Sequence, residues 1–309
     1  MKPENNFSRA FIDLAKMGRT DWRSVALTIL LVGLLCIPTN LIAAFLQIFF
    51  AHRLVHIPDS VKTAVFHVVV STVFIFGLRF ICRKILRRPF LSLISTDMTF
   101  DIRRCLLGAA LCLPANAVSL IAFALFFSIQ VGAPLFRHFE WPHHDQIVAS
   151  MGMLIVIPFP AFVEELFFRA WLTQTLGQYI RSTITVVALV AVAFAAAHTQ
   201  YNLSAKMQVL VDSIGLSALS LRDRRLELAI GAHSMMNVCA MLQALFFTGA
   251  LPHVQNPVTL LDSWSIVILR GVIPYALMYG LVQKTRGWHV PADARLAIPD
   301  DIQPRHLGS

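Results

Sequence analysis

The stretch IVASMGMLIVIPFPAFVEELFFRAWLTQTLGQ, Ile147 to Gln178, is apolar except at one place: Glu164, Glu165 and Arg169 are its only charges. Its length exceeds the about 20 residues a bilayer crossing needs. A charge at the centre of a membrane helix costs about 2.5–3.5 kcal/mol on insertion scales. Three charges between positions 164 and 169 are hard to explain as packing, and ionisable groups at such depth are functional candidates.

The remainder of the chain points to the same solvent. Of its 309 residues, 57% are hydrophobic and 14% charged, where a soluble domain carries about 25% charged residues. Mean hydropathy is +0.67. The expected fold is all-α, a polytopic transmembrane helical bundle of about eight spans. The spans are placed near Val25–Phe50, Val61–Cys82, Cys105–Val131, Ile147–Tyr179, Thr183–His198, Ala205–Leu221, Leu226–Phe247 and Trp264–Gln283. Residues 1–23 read as a basic cytoplasmic N-terminal arm, 24–284 as the bundle, and 285–309 as a flexible polar C-terminal tail with Pro291, Pro299 and Pro304. No short apolar core with a small-residue cleavage site precedes the first span, so no cleavable signal peptide is expected.

Lys and Arg alternate between connections. The second holds Arg79, Arg83, Lys84, Arg87, Arg88, Arg103 and Arg104; the fourth holds Arg181; the sixth holds Arg222, Arg224 and Arg225; Lys284 and Arg286 follow the last span. The first, third and fifth are poorer, and the seventh has none. Positive connections stay in the cytoplasm, which predicts both termini there. The net charge of +9 comes largely from this bias and the N-terminal arm. It gives no indication of nucleic acid, because no basic stripe is interleaved with exposed aromatics. Cys36, Cys82, Cys105, Cys112 and Cys239 lie in or at the edge of apolar spans without Cys-x-x-Cys spacing, and read as small hydrophobes rather than a disulfide frame or zinc site.

The polar groups inside the spans sort by helical geometry. Glu165 precedes Arg169 by four residues, the favourable order for a helical ion pair. Glu164 points about 100° away around the helix and lacks that partner, so one carboxylate reads as structural and the other as free. A purely structural network of all three is the alternative. His198 closes the run FAAAH. Glu164 and His198 each lie 17 residues from Arg181, one before and one after. In an antiparallel pair that is about 25 Å from the turn for both, so they can face each other, near the membrane face opposite the arginines. His233 and Asn237, in HSMMN, share one helical face. They lie roughly 12–20 Å from the sixth connection, slightly shallower. Two glutamates, two histidines and an asparagine can thus converge. The pairs His52/His56 and His143/His144 could bind a metal but read more simply as interfacial polar residues. His67 is alone in its span and carries no assigned role.

Taken in order, EELFFR (Glu164 to Arg169), FAAAH (Phe194 to His198) and HSMMN (His233 to Asn237) resemble the three motifs of the CAAX prenyl protease and bacteriocin-processing family, the glutamate intramembrane endopeptidases. The resemblance covers about Ile147 to Phe246. Each motif alone is weak, and three in order on successive apolar spans are strong. The resemblance implies a helical bundle in which Glu164 activates a water as general base. It gives His198 the task of positioning that water or carrying a proton. His233 and Asn237 would stabilise the oxyanion, while Glu165 and Arg169 hold the helix geometry. It also implies a metal-independent site with no cofactor and, as substrate, a peptide or protein at or within the bilayer.

Glu164, Glu165, His198 and His233 are also zinc-ligand types, so a zinc-dependent membrane metallopeptidase stands as an alternative, although no compact HExxH is present. A non-catalytic immunity or scaffold protein of the same fold is another. A transporter would be expected to show internal symmetry, and none is visible. The expected location is the inner membrane of a bacterial cell.

Overall fold

The apolar runs become helices because lipid offers the backbone no hydrogen-bond partners and a helix satisfies its own. The computed structural model describes residues 9–53, 59–131, 139–246, 264–285 and 287–289. Among these, a short helix α1 (Ala10–Asp13) continues as a 3-10 turn (Leu14–Met17). Helices α2 (Trp22–Arg53), α3 (Asp59–Ile81), α4 (Ile102–Val131) and α5 (His144–Val156) follow. Then come α6 (Pro158–Glu165), α7 (Thr173–Gly177), α8 (Thr183–Ala197), α9 (Leu203–Asp223), α10 (Glu227–Phe246) and α11 (Ile273–Lys284). Wide π-type turns occupy Cys82–Leu86, Leu166–Leu172 and Ile266–Val272. Within the described residues, the expected spans lie mostly on helical backbone. Among the described residues four helices are long and apolar enough to cross a membrane: Ser60–Leu86, Ile102–Phe126, His144–Gly177 and Glu227–Phe246. Trp22–Leu35 and Thr183–Ala197 are shorter apolar helices. Exposed Leu, Ile and Phe side chains cover the outside, as a lipid-facing surface requires. Residues 1–8, the tail from 290, His56 and Phe247 lie outside the described residues.

The fourth apolar stretch is one run interrupted twice. Pro158 has no N–H to continue the ladder of α5, so the chain turns at Ile157 and restarts as α6 with proline in its first turn. Immediately after Glu165 the ladder widens into the π-turn, where Thr173 Oγ1 donates to Phe168 O at 2.8 Å. Such widened turns gather at functional sites.

The connections sort into two ends. At one end Arg9 donates to the carbonyls of Gly177 (2.6 Å) and Ile180 (3.1 Å), capping the end of α7, and Phe11 and Ile12 are fully buried against the bundle. Arg88 donates to Gln174 Oε1 at 2.6 Å, and Gln174 donates to Ser92 O at 2.9 Å. Arg104 Nε donates to Asp223 Oδ2 at 3.0 Å, and Arg225 pairs with Asp97 (3.1 Å) and Glu227. The His289 amide also donates to Asp223, at 2.8 Å. Burial pushes the Asp223 carboxyl up, and Arg104 pulls it back down. This polar cap joins the N-terminal helix, the second, fourth and sixth connections and the segment after α11, which are the elements the Lys/Arg alternation groups together. At the other end Phe139 stacks on Phe246 with ring centres 6.0 Å apart, and the Glu140 amide donates to Phe246 O at 3.0 Å.

Helices α4 and α10 cross at backbone contact. A Cβ on Gly231 would lie 1.8 Å from Cys105 O, and one on Gly108 would lie 2.2 Å from Leu228 O. Small residues allow this close approach where lipid provides no hydrophobic drive between helices. Gly231→Ala is expected to destabilise the purified protein by about 1–3 kcal/mol or more. Gly33→Ala, whose Cβ meets nothing within 4 Å, should be neutral or slightly stabilising; thermal unfolding of the two variants compares them directly.

The two ends also make a topological prediction. Arg103→Cys and His144→Cys introduce thiols at exposed positions of opposite ends. An impermeant thiol reagent should reach the first only from the cytoplasmic face and the second only from the other. Labelling of both from one face would refute the arrangement.

Candidate active site

The bundle brings α6, the following π-turn, α8 and α10 around a buried cluster of charge. Glu165 is wholly buried, and so is Arg169 four residues later. Their closest approach is Arg169 Nη1 to Glu165 Oε1 at 3.1 Å. The guanidinium carbon lies 4.0 Å from the centre of the Phe194 ring. Arg169 is therefore held between a carboxylate and an aromatic face, a cation–π arrangement strengthened by desolvation.

Glu165 Oε1 has a second partner. His233 Nδ1 lies 2.8 Å from it. An ionised carboxylate can only accept, and as the ion-pair partner of Arg169 the Glu165 carboxylate assigns the donated proton to Nδ1. The other ring nitrogen, Nε2, faces Glu164 Oε2 at 3.6 Å, too long for a direct hydrogen bond, and a water touching both would sit beside the pair. In the neutral ring Nε2 is an acceptor; in the protonated ring it donates. Glu164 itself remains about one-third exposed (34%) while its neighbour is sealed. The adjacent carboxylates thus occupy opposite environments, as helical geometry requires of consecutive residues.

His198 ends α8, and its Nδ1 lies 2.7 Å from Phe194 O. The carbonyl accepts, so Nδ1–H donates, and Nε2 of the neutral ring is left as an acceptor. The ring stacks on Tyr201, 5.6 Å between centres and 12° apart. Among the described residues His198 makes no hydrogen bond or ion pair with either glutamate. It joins the cluster through Phe194, whose ring centre is 4.6 Å from that of His198 and 6.0 Å from that of His233. Asn237 lies one turn beyond His233 on α10, half-buried. No three His, Cys, Asp or Glu side chains among the described residues are grouped to hold a metal ion.

The depth expected for this cluster is corrected. Counting from Arg181 places Glu164 about 25 Å deep, towards the far face. Yet Glu165 meets His233 six residues into α10, about 9 Å along that helix. The reason is that Gln174, well before Arg181, is already embedded in the polar cap through Arg88 and Ser92. From Gln174 back to Glu165 is about 14 Å. The last turns of this helix are therefore part of the polar cap, and the cluster belongs to the half of the bundle nearer the arginines.

Two further residues escaped the sequence reading, and His67 was given no role there. Asp212 on α9 is buried, with Oδ1 unpartnered, and lies within electrostatic reach of His233, Arg169 and Arg270. Arg270 donates to Gln243 Oε1 at 2.8 Å. The signal was available: both are charges inside expected spans, flagged by the same rule as Glu164. His67 on α3 feels the charge of Glu164, a neighbourhood that spacing within one span cannot show.

An all-α membrane bundle with adjacent glutamates facing a histidine defines a class, and comparison of the chain with known families agrees with it. Residues 146–239 match the family described as Type II CAAX prenyl endopeptidase Rce1-like. That segment carries all three motifs, so the match falls where the resemblance lies. Neither curated proteins nor solved structures gave a match. The chain is thus an integral membrane protein with a segment similar to a protease family.

The unequal environments predict unequal variants. Glu165→Gln leaves Arg169 buried without its counter-charge and should cost about 3–5 kcal/mol. Glu164→Gln should change stability by about 1 kcal/mol at most. Thermal unfolding in one detergent decides; equal losses would show that both glutamates are structural.

Proposed function

We propose that the protein is a glutamate-type intramembrane endopeptidase, in which Glu164 activates the water that attacks a peptide bond. The observation that carries this reading is the pairing of a partly open Glu164 with His233 Nε2 at 3.6 Å, while Glu165 fixes the opposite side of the ring at 2.8 Å. A water touching both Glu164 and Nε2 would meet an acceptor and a polarising group together. Glu164 would take the water proton as hydroxide adds to the scissile carbonyl, then return it to the leaving amine. The protonated His233 and the Asn237 amide would donate to the oxyanion. His198 Nε2, left as an acceptor by the Phe194 carbonyl, would orient the water or the substrate amide. Glu165 and Arg169 would act as positioning residues, setting the His233 tautomer and ring angle. No acyl intermediate is needed, and no step calls for a metal.

The family description names prenylated CAAX substrates, and a site in the half of the bundle nearer the arginines suits a C-terminal segment that enters from the cytoplasmic face. The substrate class proposed is therefore a protein or peptide cleaved near its C-terminus or at a membrane segment, at that level of the bilayer.

The test is a comparison of membrane and secreted proteomes from cells making wild type or Glu164→Gln. The variant should accumulate as a folded membrane protein and leave its substrates uncut. His233→Ala should lower turnover by roughly 10²–10³, the usual loss for one oxyanion donor, and wild-type turnover should withstand chelation. Normal processing by a well-folded Glu164→Gln would leave a non-catalytic scaffold as the better reading. Activity lost on chelation and restored by zinc would favour a metallopeptidase.

A further inference from the structure

Where α3 reaches the polar cap, a cleft of about 650 Å³ is lined by Arg79, Arg83, Arg87 and Arg88 with Pro89, Phe90 and Leu91. It is separate from the glutamate–histidine cluster. Elsewhere in the cap arginines are matched to carboxylates: Arg104 to Asp223, Arg225 to Asp97 and Glu227. Arg79, Arg83 and Arg87 are exposed and have no acidic partner among the described residues. Arg79 and Arg83 stand one turn apart, a spacing at which like charges repel. Arg87 holds a left-handed backbone (φ 52°) at the end of the π-turn, where glycine would sit without strain. The fourth arginine, Arg88, is 4% exposed; it binds Gln174 through Nη1, and its Nε has no hydrogen-bond partner. Four arginines thus line one cleft, and no carboxylate among the described residues pairs with them.

The apolar part of the surface gives the ligand its second half. Phe76, Arg79, Phe80 and Arg83 follow the i, i+3, i+4, i+7 spacing of one helix face. Phe76 and Phe80 are exposed. The stripe alternates aromatic and cationic side chains where α3 runs into the polar cap.

We propose that this cleft binds the phosphate of an anionic phospholipid, with its acyl chains lying along Phe76 and Phe80. Arginine forks match phosphate oxygens, and basic pockets at the ends of membrane helices bind such headgroups. Because Arg88 bonds to Gln174, which closes the helix carrying Glu164 and Glu165, bound lipid would also brace the cap end of that helix.

The test uses the full-length protein, purified from mixed phosphatidylcholine and phosphatidylglycerol, with retained lipid counted by native mass spectrometry. The site variant combines Arg79→Gln, Arg83→Gln and Arg87→Gln. A control removes the same charge from the same end through Arg19→Gln, Arg23→Gln and Arg103→Gln, all at exposed positions. Wild type and control should keep phosphatidylglycerol, and the site variant should lose it, at about fivefold in affinity per arginine. If the triple variant unfolds in neutral lipid, Arg83→Gln alone is measured against Arg103→Gln. Equal loss in site and control variants would overturn the proposal in favour of general surface charge. Inorganic phosphate that displaces the retained lipid, or stabilises the protein equally well in phosphatidylcholine alone, would replace it with a soluble-anion site.

Discussion

Glu165 lies fully inside the bundle, and one of its oxygens receives both the Arg169 guanidinium and His233 Nδ1. Removing a carboxylate from water is costly unless it is paired, so the helix after α6, helix α10 and the Phe194 ring beneath the guanidinium must all be in register for the fold to tolerate it. The same contact orders the chemistry. With Nδ1 committed to Glu165, only Nε2 can meet Glu164, and Glu164 is left as the carboxylate open to a reactant. On the proposed mechanism, the 100° step of the helix assigns stability to one of two consecutive residues and reactivity to the other.

Two features hold that register. The α4–α10 crossing, closed to backbone contact at Gly108 and Gly231, fixes the height of α10. The polar cap fixes the other helix: Gln174 is bound to Arg88 and Ser92, and the helix end is capped by Arg9. Arg104 and Arg225 of the arginine-rich connections are therefore also structural, matched to Asp97, Asp223 and Glu227. Arg79, Arg83 and Arg87, without such a match among the described residues, line a single cleft.

Much of this was legible beforehand. Glu165–Arg169 followed from i,i+4 spacing, and the isolation of Glu164 followed from helical angle alone. The helices lie where the apolar runs lie. The Glu165–His233 bond was not legible, because it joins residues 68 apart on separate helices. Nor was the role of Phe194, which reads as one more apolar residue yet supplies the face on which Arg169 rests. Depth failed for a related reason: residue counting assumes that a helix ends at the membrane face, and here the last turns run on into the cap. Asp212 and Arg270 were visible as intramembrane charges and were passed over in favour of the motif-bearing spans.

The sequence by itself determined the solvent, the helical class, the two groups of connections and the identity of the candidate residues, because these depend on composition and on the local 3.6-residue repeat. Tertiary structure alone decided which glutamate His233 binds, which tautomer that imposes, how far the cluster lies from the arginine-rich end and which arginines remain unpaired. Those outcomes turn on the relative heights and rotations of separate helices, set by backbone contact at two glycines and by hydrogen bonds in the cap. No repeat within a single span encodes them.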